Sequence, residues 1–203
     1  RLHRVGTGPT MNEYEANFIN IDPAAVEAKV MSLGGEKVFD RTFRRAVFDY
    51  ADLRLDKQAA WVRVRDEGDR VTFAFKQRQG AEAAGTSGRD TGMVEEEVVV
   101  SDFETVCRML RHIGLTDKFY QENRRVQFKL EGAEIDIEYW PLLEPHLEIE
   151  AGSLEEVKAV ADRLGLSWAD HKIYSTTQLY AEVGIDDKDY PILTFDKQVK
   201  RDA

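Results

Sequence analysis

Five segments of this chain alternate apolar and polar residues with period two, and the charges on each polar face share one sign. "WVRVR" sets Val62 and Val64 against Trp61, Arg63 and Arg65. "VTFAFKQR" opposes Phe73 and Phe75 to Thr72, Ala74, Lys76 and Arg78. "ENRRVQFKL" separates Val126 and Phe128 from Asn123, Arg125, Gln127 and Lys129. "EIDIE" and "HLEIE" are the acidic counterparts, placing Glu134, Asp136 and Glu138, then His146, Glu148 and Glu150, opposite isoleucine and leucine. Period two is the signature of a strand with two unlike faces. Charge placed only for solubility would mix signs within a strand. Sorted charge calls for a partner: a polyanion on the basic strands and divalent cations on the acidic ones.

With "RRAVFDY" and the strands inside "NEYEANFINID" and "VEEEVVVSD", the chain reads as eight strands joined mostly by short antiparallel connections. Three acidic strands lead into helices of one plan. From Asp22 to Gly34, Asp102 to Gly114 and Ser153 to Gly165, an N-cap residue starts the run and a glycine ends it. Ser153 with Glu156 and Ser101 with Glu104 have capping-box spacing. Each helix has one apolar face, and the apolar strand faces are the surface available to bury it. The charged strand faces then lie on the other side. Eight strands can close on themselves and leave a polar lumen.

Composition narrows the partners. A net charge of −10 argues against a general nucleic-acid surface, which needs a basic footprint. No run of the sequence reaches membrane-spanning length, and no signal peptide is visible, so a cytoplasmic protein is expected. The single cysteine, Cys107, excludes an intramolecular disulfide and a thiolate zinc cluster, and "VCRML" reads as a buried helix position. Residues 1–10, ahead of Met11, read as an expression remnant, 11–181 as the domain, and 182–203 as a C-terminal appendage. The Gly-rich stretch 79–92 reads as a flexible loop. His146 is expected at an exposed loop edge, Trp61 and Trp140 on the polar faces, and Trp168 in the core.

In order along the chain, these motifs resemble the CYTH superfamily, the triphosphate tunnel metalloenzymes, over most of residues 12–180. "EYEAN" resembles the opening Glu-x-Glu-x-Lys strand and implies Glu13 and Glu15 as metal ligands. "FDYADLRLDKQAAWVRVR" resembles the passage ending in Arg-x-Arg, which implies Arg63 and Arg65 on phosphate, and "TFAFKQR" adds Lys76, with Arg78 near it. "MVEEEVVVSD" resembles an Arg-x-Glu-x-Glu strand, best fitted by Glu95 and Glu97, with Glu96 favoured by a one-residue shift. "FYQENRRVQF" matches a Lys-x-Arg strand at Asn123 and Arg125. "IDIEYWPLLEPHLEIE" supplies Glu138 and Glu148, with Asp136 and Glu150 on the same face, and "HKIYSTTQLY" offers Lys172 and Tyr174.

The resemblance implies an α+β fold: an eight-stranded antiparallel β-barrel with helices packed outside. It implies Mg²⁺ or Mn²⁺ on Glu13, Glu15, Glu95, Glu97, Asp136, Glu138, Glu148 and Glu150. Phosphate would lie on Arg63, Arg65, Lys76, Arg78, Arg125, Lys172 and Tyr174, and Glu13, Glu15, Glu138 and Glu148 would be catalytic. The partner is a triphosphate-containing small molecule; neither nucleic acid nor membrane is expected, and a homodimer is compatible. Three positions depart from the pattern, since Asn17, Met93 and Asn123 stand where the family carries cations. Hydrolysis of a triphosphate is favoured over cyclisation of ATP, because no motif reads a nucleoside base. A non-catalytic polyphosphate binder is the third alternative, and the missing cations speak for it.

Overall fold

A computed structural model describes residues 14–78, 93–172 and 175–201. The elements are β1 (Tyr14–Phe18), α1 (Pro23–Ser32), β2 (Glu36–Asp49), β3 (Ala60–Asp66), β4 (Val71–Arg78), β5 (Met93–Val100) and α2 (Phe103–His112). After them come β6 (Thr116–Leu130), β7 (Ala133–Tyr139), β8 (His146–Ala151), α3 (Leu154–Leu164), α4 (Thr176–Glu182), β9 (Ile192–Leu193) and β10 (Gln198–Val199). The eight longer strands follow the order β1-β8-β7-β6-β2-β3-β4-β5. This is the antiparallel sheet with helices that the alternation predicts. Among the described residues β1 and β5, the two ends of that path, do not pair. Asn17 instead exchanges both backbone hydrogen bonds with Lys172, at 2.8 Å each, which occupies the outer edge of β1 at that point.

The helices start and stop where their capping residues require. Asp22 accepts from the amides of Ala24 and Ala25, Asp102 from Thr105, and Ser153 from Glu156. The second cap is thus Asp102 and not Ser101, because the carboxylate of Asp102 reaches the orphan amide three residues on. Gly34, Gly114 and Gly165 follow the helices at φ +86°, +99° and +82°, the left-handed region a side chain resists. β2 and β6 begin well before the alternation that announces them, since Glu36–Lys37–Val38 and Thr116–Asp117 are largely exposed and show no apolar face.

The chain divides into two compact units. Of the described residues, the first takes those within 14–40, 125–139 and 144–178, the second those within 41–124, 140–143 and 179–201. In the first unit the apolar faces of β1, β7 and β8 (Ala16, Phe18, Ile135, Ile137, Leu147 and Ile149) are covered by α1 and α3 through Val26, Val30, Val157 and Val160. In the second unit Val62 and Val64 of β3 and Phe48 of β2 pack under Phe103, Cys107 and Leu110 of α2. Cys107 is buried as expected, and burial pushes its thiol up to about 11. Residues from 182 onward belong to this second unit, where Leu193 packs with Trp140 and Tyr180 and β9 lies parallel to β6. Among the described residues no helix is long and apolar enough to cross a membrane.

Candidate functional site

Each unit has a charged face on the side of its strands away from its helices. Directly opposed residues of an antiparallel pair share a face, so the register assigns each side chain. In the first unit Glu15 lies opposite Glu150 and Asn17 opposite Glu148. Across β7 and β8, Glu134 lies opposite Glu150, Asp136 opposite Glu148, and Glu138 opposite His146. This face is not a solvated one. Asn17, Asp136, Glu138 and His146 are 1%, 4%, 2% and 4% exposed. The expectation of an exposed His146 is therefore overturned: as the first residue of β8 its ring turns onto the acidic face, and burial lowers its pKa despite Glu138.

Arg125, from β6, brings a cation among these carboxylates. It pairs with Asp136 at 2.8 Å, donates from Nε to Glu138, and stands 3.9 Å from Glu148. Burial works against its charge, but Glu138, Asp136 and Glu148 together hold its pKa above the usual value. Burial, then the charge of Glu15, raises Glu148 to about 8, and burial raises Asp136 to about 6 in spite of Arg125. The guanidinium keeps its charge, and Glu148 is the carboxyl that holds its proton to the highest pH.

Carboxylate oxygens of Glu15, Glu148 and Glu150 all lie within 4.8 Å of one another, close enough to share one ion. Three hard oxygen donors suit Mg²⁺ or Mn²⁺, whose other positions water or phosphate can fill. Among the described residues the buried Oδ1 of Asp136 has no hydrogen-bond partner, and the charge of Glu15 adds to burial in raising Glu148. These residues fit a divalent cation.

In the second unit the pairs Arg63–Ala74, Arg65–Thr72 and Trp61–Lys76 across β3 and β4 put Arg63, Arg65 and Lys76 on one face. The pairs Ala74–Glu97 and Lys76–Glu95 bring Glu95 and Glu97 to the same face, while Glu96 lies opposite Phe75 on the other. Register thus separates Glu95 and Glu97 from Glu96 by face. Arg63 reaches Glu95 at 3.4 Å and Glu97 at 3.2 Å, Lys76 reaches Glu95 at 2.9 Å, and Arg65 pairs with the buried Glu67. Burial, then Arg65, lowers the pKa of Arg63; burial, then Arg63, lowers that of Lys76. Both shifts mark cations crowded together in a poorly solvated place. Arg78 is exposed at the end of β4, and Lys172 is half-buried beside Asn17. Glu13 and Tyr174 lie outside the described residues.

Motif reading passed over Arg45, which is opposite Arg65 on this face. Its guanidinium donates to the side-chain oxygen of Asn123 and lies 4.6 Å over the ring of Trp140, which is 7% exposed. Trp61 is half-buried on the polar side, and Trp168, partly buried, stacks on His171 at 4.1 Å. A cavity of about 420 Å³ in the first unit, lined by Phe18, Ile21, Val26, Lys29 and Leu166, is on the helix side and takes no part in the charged face.

One polar face thus gathers carboxylates around Arg125, and the other sets Arg63, Arg65 and Lys76 against Glu67, Glu95 and Glu97. The family profile for the CYTH domain matches residues 11–174, and the chain belongs to that family. Among solved structures it is similar to the PH1012 protein of Pyrococcus horikoshii OT3, at 18% identity, 83% of this chain, 99% of that one and a TM-score of 0.61. It is also similar to a Vibrio parahaemolyticus protein provisionally assigned as an adenylate cyclase, at 15% identity, 83% and 97% coverage and TM-score 0.65. A third is the Hippeastrum protein HpAC1, a provisional adenylyl cyclase reported with a dominant triphosphatase activity, at 14% identity, 84% and 95% coverage and TM-score 0.57. At these identities the likeness is one of fold. No curated protein matches the chain.

Proposed function

We propose that this protein is a metal-dependent hydrolase of a triphosphate-containing small molecule. The observation that carries the reading is the trio Glu15, Glu148 and Glu150, whose oxygens converge within 4.8 Å beside a Glu148 raised to about 8. A receptor for anions alone would gain by losing these carboxylates. Glu15, Glu148 and Glu150 would hold Mg²⁺ or Mn²⁺. Glu138 and Asp136 keep Arg125 fixed beside the trio.

Arg63, Arg65 and Lys76 take the phosphate oxygens, the arginines through forked contacts and the lysine as a point charge. Glu95, Glu97 and Glu67 pair with these cations until the ligand exchanges with them. A bound divalent ion supplies charge neutralisation and a more acidic water. Water adds to the terminal phosphorus, the P–O bond to the next phosphate breaks, and the products are orthophosphate, the shortened ligand and a proton. Positioning and charge stabilisation carry such a reaction. No motif in the sequence reads a nucleoside base, which makes cyclisation of a nucleotide the weaker reading.

The test is turnover of tripolyphosphate, ATP, GTP and thiamine triphosphate with Mg²⁺ and with Mn²⁺, scoring phosphate release and cyclic nucleotide separately. Phosphate release from at least one substrate, lost in Glu15→Gln/Glu148→Gln, is expected. Tight binding of tripolyphosphate with no turnover of any substrate would overturn the hydrolase in favour of a binding protein.

A further inference from the structure

We propose that His146 is a hydrogen-bond donor that the acidic face offers to a phosphate oxygen of the metal-bound ligand. The proposal rests on the triphosphate reading above and deepens it. Along β8, His146, Glu148 and Glu150 stand at alternate positions, so all three project from one face. The His146 backbone is therefore about 7 Å along the strand from that of Glu148, a member of the carboxylate trio. A phosphate with one oxygen on an ion held by the trio has its other oxygens within reach of the imidazole.

His146 is 4% exposed, yet among the described residues it makes no hydrogen bond, ion pair or ring contact. Buried polar groups are nearly always partnered, and an exception calls for an explanation such as a ligand or water. Its ring nitrogens are not among the fully enclosed atoms that lack a partner, a set that includes Asp136 Oδ1, so they are not sealed from a ligand. The group best placed to take the N–H is Glu138, directly opposite on β7. Glu138 instead accepts from Arg125 Nε. Burial lowers the pKa of His146 despite Glu138, so the ring is neutral at pH 7. One nitrogen then donates and the other accepts.

The ion itself is the other partner a histidine could have. Among the described residues, the ligand atoms that converge within 4.8 Å come from Glu15, Glu148 and Glu150, without His146. The imidazole stands beside the ion's place and not in it. Ionised carboxylates only accept hydrogen bonds, so a phosphate laid across Glu138 and Glu148 meets acceptors at both. An N–H between them answers one of its oxygens. Being neutral, it does so without competing with a divalent cation for the carboxylates, as a lysine or arginine at 146 would.

The experiment is calorimetric titration of the full chain with Mg²⁺ alone and with tripolyphosphate at saturating Mg²⁺, beside thermal melts. His146→Phe keeps a ring of similar size and has no donor. It should bind tripolyphosphate about 10- to 100-fold more weakly, as expected when a hydrogen bond to a charged group is lost. It should bind Mg²⁺ as the wild type does, and melt at or above it, because a buried polar group without a partner has been removed. A purely structural side chain would not lower ligand affinity while leaving the melting temperature intact. His146→Gln keeps an N–H and should recover part of the loss; equal losses in the two variants overturn the donor role. Wild-type affinity for tripolyphosphate in His146→Phe overturns it too and leaves the triphosphate reading standing. Weakened Mg²⁺ binding in His146→Phe would put the ring on the ion and likewise overturn the proposal. A wild-type protein that binds no tripolyphosphate removes both readings. If His146→Phe does not fold, His146→Met, unbranched and without a donor, is judged by the same results.

Discussion

Glu148→Gln tests the acidic face through stability, without any assumption about substrate. The carboxyl titrates near 8 in the folded protein against an ordinary 4.5. Its folded pKa is the higher one, so the folded state binds the proton more tightly. The stabilisation is fully present below the unfolded pKa and is lost as pH rises through the folded one. Between pH 5 and pH 8 the two values give a loss of about 3.5 kcal/mol at most, and roughly half of that if neighbouring side chains relax. For a chain of this size about 2 kcal/mol is roughly 4–8 °C in melting temperature. Glutamine at 148 never acquires the charge, so the metal-free variant should melt higher than wild type at pH 8 and match it near pH 5. Asp136, raised to about 6, adds a loss of the same sign at lower pH in both proteins. Saturating Mn²⁺ or Mg²⁺ should restore the wild type at pH 8 and do little for the variant, because an ion that binds only the native state stabilises it. Calorimetric melts from pH 5 to pH 9, with and without metal, make the comparison. Wild type and Glu148→Gln melting together across the whole range would refute the argument.

On the basic face, Arg65→Ala should weaken tripolyphosphate binding by about 1.5–3 kcal/mol, read by calorimetry. Glu97→Gln should strengthen metal-free binding of the same anion by removing a competitor for Arg63, while Glu96→Gln, on the opposite side of β5, should leave it unchanged. Gly35→Ala should destabilise by about 2–3 kcal/mol in denaturant melts, because a Cβ there would stand 2.5 Å from Val30 Cγ1 and 3.0 Å from the Val30 carbonyl oxygen.

The strand faces were legible in the sequence because the side-chain period of a strand is two, so Val62 and Val64 could be separated from Arg63 and Arg65 without a structure. Helix ends were legible for a similar reason: Asp22, Ser153 and the closing glycines act on their own neighbours. What depends on pairing was not. Whether Glu95 and Glu97 or Glu96 faces the cations follows from the register of β5 on β4, which no local pattern contains. Arg45 was missed because "RR" at the start of an apolar run does not say which arginine shares a face with Arg63; the spacing to Val47 and Asp49 was the available signal. His146 was misplaced because a residue after a proline-containing loop reads as exposed, whereas β8 starts with it and buries its ring. The first halves of β2 and β6 lacked any apolar face to read.

The separate cores described above have a thermodynamic consequence. Heat has two sums to overturn, one centred on Phe128, Ile135 and Ile149 and the other on Phe48, Val64 and Phe103. A single cooperative transition is therefore not guaranteed for this chain. The carboxylate trio belongs to one sum and Arg63, Arg65 and Lys76 to the other. Each kind of ligand then has its own signature in a melting curve: a divalent ion alone should lift the transition of the carboxylate unit, and polyphosphate alone that of the arginine unit. Calorimetry becomes a map of which half of the molecule has been engaged.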